Sequence, residues 1–299
     1  MKLQAVFNRD GGTFKTTDMD AYCARAAEVF TGAGHEFCVS VVSGDDVVEA
    51  MQAVVDEGRA EALIAGGGDG TISAAAGICW DAGLPLGVVP AGTMNLFARS
   101  LQLPLDIWEV LDTLASADVR AVDIASVNGK PFVHQFSAGM HARMVRMRET
   151  MEYSSRLGKM RASTRAAMAL IVRPPRFEVN FDIDADGHNE HRHVSAISVS
   201  NNPFGENPLF YPDDLTTGRL GIYLADPLTS AGVVHLVFDI LRGKLRDNEA
   251  VTMATAKVVK MQFPKRHKGS LCVIDGELQR MPRDVEIRIH AGELKVLAP

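Results

Sequence analysis

No uninterrupted hydrophobic run in the 299 residues reaches the roughly 18 that a membrane span requires. Cysteine is scarce and scattered. Cys23, Cys38, Cys79 and Cys272 form no CxxC pair and each lies in or beside apolar sequence, so they read as reduced core thiols, which excludes a disulfide frame or a cysteine metal centre. Positive charge is lacking where a nucleic acid would need it: residues 1–140 hold 8 basic against 18 acidic side chains. Residues 141–299 hold the other 23 basic and 19 acidic ones, for a net charge of −6. Internal repeats and low-complexity linkers are absent. So are a G-x-S-x-G elbow and a Ser/His/Asp order, which argues against a hydrolase.

What is there is ordinary for a globular protein: 46% hydrophobic and 23% charged residues leave ample chain to bury a core. The length favours two domains. The chain opens on a strand-like Leu3–Phe7 rather than a basic-then-apolar signal segment, so a cytoplasmic location is expected.

The first 125 residues alternate strand and helix. Leu3–Phe7, Phe37–Val42, Leu63–Ala65 and Leu86–Val89 read as short apolar strands. Asp20–Phe30 reads as a helix, and Val47, Met51, Val54 and Val55 fall on one helical face. This pattern predicts a parallel sheet covered on both sides, with its ligand site at the carboxyl ends of the strands. Three small, polar loops sit at those ends: Asn8–Thr13, Gly66–Thr71 and Pro90–Asn95, with Ser43-Gly44 in the same layer.

The Gly66–Thr71 loop is the one the rest is arranged around. An apolar run stops at three glycines, and Asp69-Gly70-Thr71 then opens a small-residue helix, an arrangement that presents backbone N–H groups to a phosphate. The dinucleotide fingerprint fails because Thr71 stands where its third glycine belongs, and a Walker A loop fails for want of a lysine. A plain glycine turn is the bland alternative. Asp69 would repel a bare phosphate, so a Mg²⁺ ion or a water is expected between them.

From about Val122 strands dominate: Ala121–Val127, Pro131–Phe136, Phe177–Ile183, His193–Ser200, Leu220–Leu224, Lys257–Phe263, Leu271–Ile274 and Val285–His290. Turn signals at Asn128-Gly129 and Asp186-Gly187 predict hairpins, hence a second, mostly antiparallel domain. His141–Arg176 carries nine Lys/Arg against two Glu, with apolar residues between them. It reads either as a helix pair on an anionic membrane or flanking a greasy cleft, or as a helical insertion with a solvated basic face. His188, His191 and His193 read as incidental histidines beside a turn, since no cysteine or carboxylate set completes a metal site.

Gly67-Gly68-Asp69-Gly70-Thr71, followed by Gly92-Thr93-Met94-Asn95-Leu96-Phe97-Ala98-Arg99, resembles the soluble bacterial lipid kinases of the diacylglycerol and sphingosine kinase family. The likeness continues through Val122-Asp123-Ile124, Ser137–Met140, Ser200-Asn201-Asn202 and Asp275-Gly276-Glu277, and so covers nearly the whole chain. It implies an α/β nucleotide-binding domain (1–125, with a return strand in 291–299) and an antiparallel β-sandwich lipid domain (126–290), with ATP between them. The implied activity is ATP-dependent phosphorylation of a lipid hydroxyl, diacylglycerol or a relative, with ATP and Mg²⁺ as cofactors. The implied setting is a peripheral association with membrane, no nucleic-acid partner, and a homodimer as an open option. By the same likeness Asn8, Ser43, Gly67, Gly68, Gly70, Thr71, Thr93, Asn95 and Glu277 would line the nucleotide, and Asp69 would hold Mg²⁺ or a water against the phosphates. Asp275 would take the proton of the lipid hydroxyl with Asp123 in support. Read from the residues alone, Asp275-Gly276 is a hairpin turn and Asp123 a capping residue at a strand edge.

Two departures from the family's pattern stand out. Leu96 follows Asn95 where many members have Asp, and Leu215-Thr216-Thr217-Gly218 stands where a Leu-Asp-Asp-Gly is tied to a structural magnesium. Hydroxyls replace carboxylates poorly at a hard cation, so that structural metal is expected to be absent. The rival readings are an NAD-kinase-like enzyme with a soluble acceptor and an inactive nucleotide- or lipid-binding regulator.

Overall fold

The computed structural model describes residues 1–149, 174–184, 187, 189–207, 209–265 and 269–299. Its first layer is set by strands β1 (Lys2–Asn8), β2 (Glu36–Val42), β3 (Ala62–Gly67) and β4 (Leu86–Pro90), all parallel, in the order β2-β1-β3-β4. β3 and β4 are buried along their whole length, which a strand without polar side chains needs. Helices on both faces supply the cover. α1 (Met19–Gly32) packs with α5 (Glu109–Ala115), and α2 (Val47–Glu57) packs with α3 (Asp69–Ala82). α2 and α3 each end on a glycine in the left-handed region, Gly58 and Gly83. The parallel connections leave the loops after β1, β3 and β4 at one end of the sheet.

After α4 (Leu96–Ser100) and α5 the chain turns antiparallel, through β5 (Asp118–Val127), β6 (Lys130–Phe132), β7 (Gln135–Gly139), α6 (Met140–Glu149), β8 (Phe177–Ile183), β9 (Glu190–Val194), β10 (Ala196–Ser200) and β11 (Leu220–Ala225). It continues through α7 (Ser230–Leu241), β12 (Val251–Ala256), β13 (Val258–Gln262), β14 (Leu271–Ile274), β15 (Glu277–Arg280) and β16 (Asp284–Ala298). Six strands form a second sheet in the order β12-β11-β10-β7-β14-β15. It faces β5, β8, β13 and β16 across a core that includes Phe132, Phe136, Phe181, Ile197, Ile222 and Ile287. The expected classes, a parallel α/β half followed by an antiparallel sandwich, are both present.

The two halves share a continuous sheet. β16 was expected as two strands, Val285–His290 and a return near Glu293–Leu297; it is one strand with a bulge between His290 and Leu294. Ahead of the bulge Val285, Ile287 and Ile289 enter the sandwich core, and after it Leu294, Val296 and Leu297 enter the α/β core. β5, paired along it, does the same with Ala125 and Val127 on one side and Val122 and Ile124 on the other. We infer from these two cores a division at 1–125 with 291–299, and 126–290.

Two other predicted strands are each split. Pro131–Phe136 breaks at Val133-His134, and His193–Ser200 breaks at Ser195, where the chain leaves the first sheet as β9 and joins the second as β10. α7 and β12 had no counterpart in the sequence reading. Of the basic segment, residues 150–173 lie outside those described, as do Asp186 and His188 of the predicted turn and histidine cluster. Among the described residues, no helix is long and apolar enough to cross a membrane.

Candidate active site

The Gly66–Thr71 loop ends β3 and starts α3. Gly68 is the N-cap, in extended backbone with no side-chain cap, so the first-turn N–H groups of α3 are not taken by a capping side chain. The loop after β4 presses against it: a Cβ on Gly92 would stand 2.8 Å from the Gly68 Cα and 2.8 Å from Asn95 Oδ1. Only glycine allows the two loops this close.

The polar residues of these loops mostly hold the loops themselves. Asn95 sits at φ 52°, a conformation asparagine tolerates. Its Oδ1 accepts from Gly92 N (2.8 Å) and its Nδ2 donates to the Pro90 and Gly92 carbonyls (3.2 and 3.1 Å). Asp69 reaches across to α4, where Oδ1 accepts from Leu96 N (2.7 Å) and Oδ2 from Asn95 N (3.1 Å), so it caps a helix from outside that helix. Asn8, buried at the end of β1, donates to Thr71 Oγ1 (3.0 Å) and accepts from Asp10 N (2.9 Å). Thr71 is buried under Gly67, whose Cβ it would meet at 2.7 Å. Ser43 bonds Asp46 (2.5 Å) at the head of α2. Thr93 is exposed beside the Gly12 loop, and Arg9 and Lys15 are exposed.

The sandwich delivers Asp275 and Glu277 to this loop. β14 and β15 form a hairpin whose turn is Asp275-Gly276, with φ 46° and 88°, as the turn reading had it. The same turn docks on α3. Asp275 Oδ2 accepts from Ser73 Oγ (2.5 Å) and Val133 N (2.9 Å), and Oδ1 accepts from His134 N (2.9 Å) and Gln135 N (3.0 Å). This explains the split strand: the amides of residues 133–135 turn from a sheet partner to a carboxylate. Burial pushes the Asp275 carboxyl above the ordinary range, while Ser73 and the three amides pull it back. Glu277 lies beside Gly70, with Oε1 3.4 Å from where a Cβ would stand, at the positive end of α3.

Asp123 is placed differently. Its buried carboxylate accepts from Asn202 Nδ2 and Gly218 N (2.6 Å each) and from Gly292 N (2.9 Å). It ties β5 to two loops and to the bulge of β16, which is the capping alternative. A link toward Asp275 runs through Asn201, whose Nδ2 donates to the Asp123 and Val133 carbonyls. Thr217, at the position expected to hold a carboxylate, accepts from Asn202 (2.8 Å) and donates to the Arg219 carbonyl (3.2 Å).

Sequence reasoning missed Ser73 and His134. Ser73 follows Asp69 by one helical turn, so the helix start contained the signal. His134 is buried near Asp69 and beside Phe204, and burial, reinforced by His141 and opposed by Asp69, drives its pKa down to about 4. A neutral imidazole therefore stands behind the loop. Of the histidine cluster, His191 bonds Asn180 (2.6 Å) and His193 pairs with Glu178 (3.3 Å). Among the described residues, no three His, Cys, Asp or Glu side chains converge to hold a metal.

Residues 2–127 match the diacylglycerol kinase catalytic domain. Over those residues the chain is similar to the diacylglycerol kinases. The diacylglycerol kinase of Bacillus subtilis is 26% identical over 264 residues, 86% of this chain and 84% of that one. An uncharacterised protein of Synechocystis sp. is 28% identical over 245 residues, 79% of this chain but 54% of its own length. The crystal structure of a diacylglycerol kinase from Bacillus anthracis superposes with a TM-score of 0.72 at 17% identity, covering 100% of this chain and 97% of that one. That likeness shows the fold, sandwich included.

Proposed function

We propose that this protein is a lipid kinase of the diacylglycerol kinase family, which transfers the γ-phosphoryl group of ATP to the hydroxyl of a lipid, diacylglycerol or a close relative, at a membrane surface. The single observation that carries the reading is the docking of Asp275 onto α3 through Ser73, which sets a carboxylate of the sandwich beside the glycine loop.

The residues fit a polyphosphate. The head of α3, with no side-chain cap, offers N–H groups and a positive dipole end to an anion. A resident metal fits less well, since both oxygens of Asp69 already accept backbone N–H groups and, among the described residues, no group of three His, Cys, Asp or Glu side chains gathers there. Mg²⁺ belongs in this reading to the nucleotide, as part of the substrate.

Phosphoryl transfer needs positioning, charge stabilisation and a carboxylate near the attacking oxygen. Asp275 is that carboxylate, and burial makes it a better base than a solvated one. Its four donors fill both lone-pair positions of each oxygen. Three are fixed amides. Ser73 alone turns about a single bond, so the lipid hydroxyl reaches Asp275 by displacing Ser73 or by passing its proton through the Ser73 oxygen. Asp123 and Asn95 act as positioning residues.

Labelled γ-phosphate offered with diacylglycerol, monoacylglycerol, ceramide and sphingosine in micelles, beside NAD, tests the acceptor. Label is expected in a glycerolipid. Label in NAD alone would sink the lipid reading.

A further inference from the structure

Helix α7 is apolar on two faces, and one of them is uncovered. Val233 and Leu236 turn inward onto Ala225 and Leu228. On the other side Val234, Val237, Phe238 and Leu241 are 51%, 44%, 48% and 70% exposed. Their spacing puts all four in one stripe along about two turns. A contiguous stripe of large apolar side chains marks a docking surface.

Cations close the stripe at its C-terminal end. Arg242 lies over the Phe238 ring at 3.9 Å, and Lys244 follows. Among the described residues neither has a carboxylate within ion-pair distance, whereas Arg246 pairs with Glu206 at 3.6 Å. Asp239, the acidic residue of the helix, is turned away: its side chain is 15% exposed and accepts from Asn248 (2.6 Å). An apolar stripe ending in unpaired cations is the pattern of a helix lying in a membrane interface.

The position in the fold agrees. α7 covers the Ala196–Ala225 end of the second sheet, level with Gly139. A cavity of about 240 Å³ sits at that end, walled by Phe177, Phe263 and Leu271, with Arg143, Arg146 and Arg176 among its lining. Arg176 reaches the Leu228 carbonyl (3.5 Å) in the turn that enters α7. Gln135, beside Asp275, is at the other end of β7, about 14 Å away at ~3.4 Å per residue.

We propose that α7 is the surface by which this protein docks on an anionic lipid bilayer, with the Val234–Leu241 stripe entering the interface. The proposal deepens the lipid-kinase reading by naming the face through which a lipid acceptor is reached. A second copy of the chain fits the stripe less well, because one three-turn helix face offers only a few hundred Å² against the roughly 800 Å² per partner of a stable interface.

The test is co-sedimentation of the full chain with phosphatidylcholine vesicles, with and without an equal part of phosphatidylglycerol. The variants are Leu241→Ser, the pair Phe238→Ser/Leu241→Ser, and Val119→Ser as a control on an exposed strand position. All three substituted side chains are surface ones, and thermal melts check that the fold is kept. The wild type is expected to bind anionic vesicles better than neutral ones, the pair to bind about tenfold less, Leu241→Ser to fall between, and Val119→Ser to match wild type. Unchanged binding by the pair would overturn the proposal. So would a wild-type dimer that the pair converts to monomer without altering vesicle binding. Transfer to a short-chain diacylglycerol dissolved as monomers is expected to be equal in wild type and pair. If that transfer is seen but vesicle binding ignores the stripe, the docking fails alone. If binding needs the stripe but no lipid is phosphorylated, the kinase reading fails alone.

Discussion

Asp275 shows how one side chain serves fold and chemistry together. Asp-Gly is what the tight turn between β14 and β15 needs, and the same turn sets the carboxylate against Ser73 and three amides. The hairpin was legible from two letters; the cradle was not, because its amides come from residues some 140 positions away that read as mid-strand. Ser73→Ala tests the division of labour. The Ser73 hydrogen bond lowers the Asp275 pKa, so its loss raises that pKa further, and the acid limb of the rate–pH profile is expected to move to higher pH. The rate at the optimum is expected to fall about tenfold to a hundredfold. A slower enzyme with an unmoved profile would assign Ser73 to packing alone. Gly92→Ala places a Cβ 2.8 Å from the Gly68 backbone; it is expected to cost about 1–3 kcal/mol in denaturant unfolding and to weaken ATP binding.

At the scale of elements, the strand–glycine–helix unit was readable because local composition dictates it: apolar residues fill β3 and small residues open α3. The role of Asp69 was not readable. Its link to α4 joins residues 26 and 27 positions apart, and nothing in either stretch announces a cap supplied from elsewhere. Asp69→Ala is expected to lower stability by about 1 kcal/mol through that cap, measured in urea, besides any loss of rate. A variant as stable as wild type would return Asp69 to a purely nucleotide-facing role. α7 escaped notice for a related reason. Its apolar side chains spread over two faces, which blurs the one-sided period by which α2 was found.

For the whole molecule, β5 and β16 matter most, because they run through both cores and fix the sandwich against the α/β half. The site depends on that joint, since Asp275 comes from one side and α3 from the other. His134 sits close to the joint, buried and uncharged, with a pKa of about 4 against an ordinary 6.5. An unfolded chain takes up this proton below pH 6.5 and the folded one does not until about pH 4, so the stabilising contribution is complete above that window and is lost as pH falls through it. About 3 kcal/mol is at stake, and His134→Gln is expected to flatten the dependence of unfolding free energy on pH between those values.

If a carboxylate from the sandwich takes the proton of a lipid hydroxyl beside a nucleotide held by the glycine loops, binding and transfer must separate. The experiment pairs ATP binding, by calorimetry, with phosphoryl transfer to diacylglycerol in wild type and Asp275→Asn. The variant is expected to bind ATP nearly as well as wild type and to transfer phosphate at least about a hundredfold more slowly. Transfer by Asp275→Asn at the wild-type rate would contradict that role of the carboxylate.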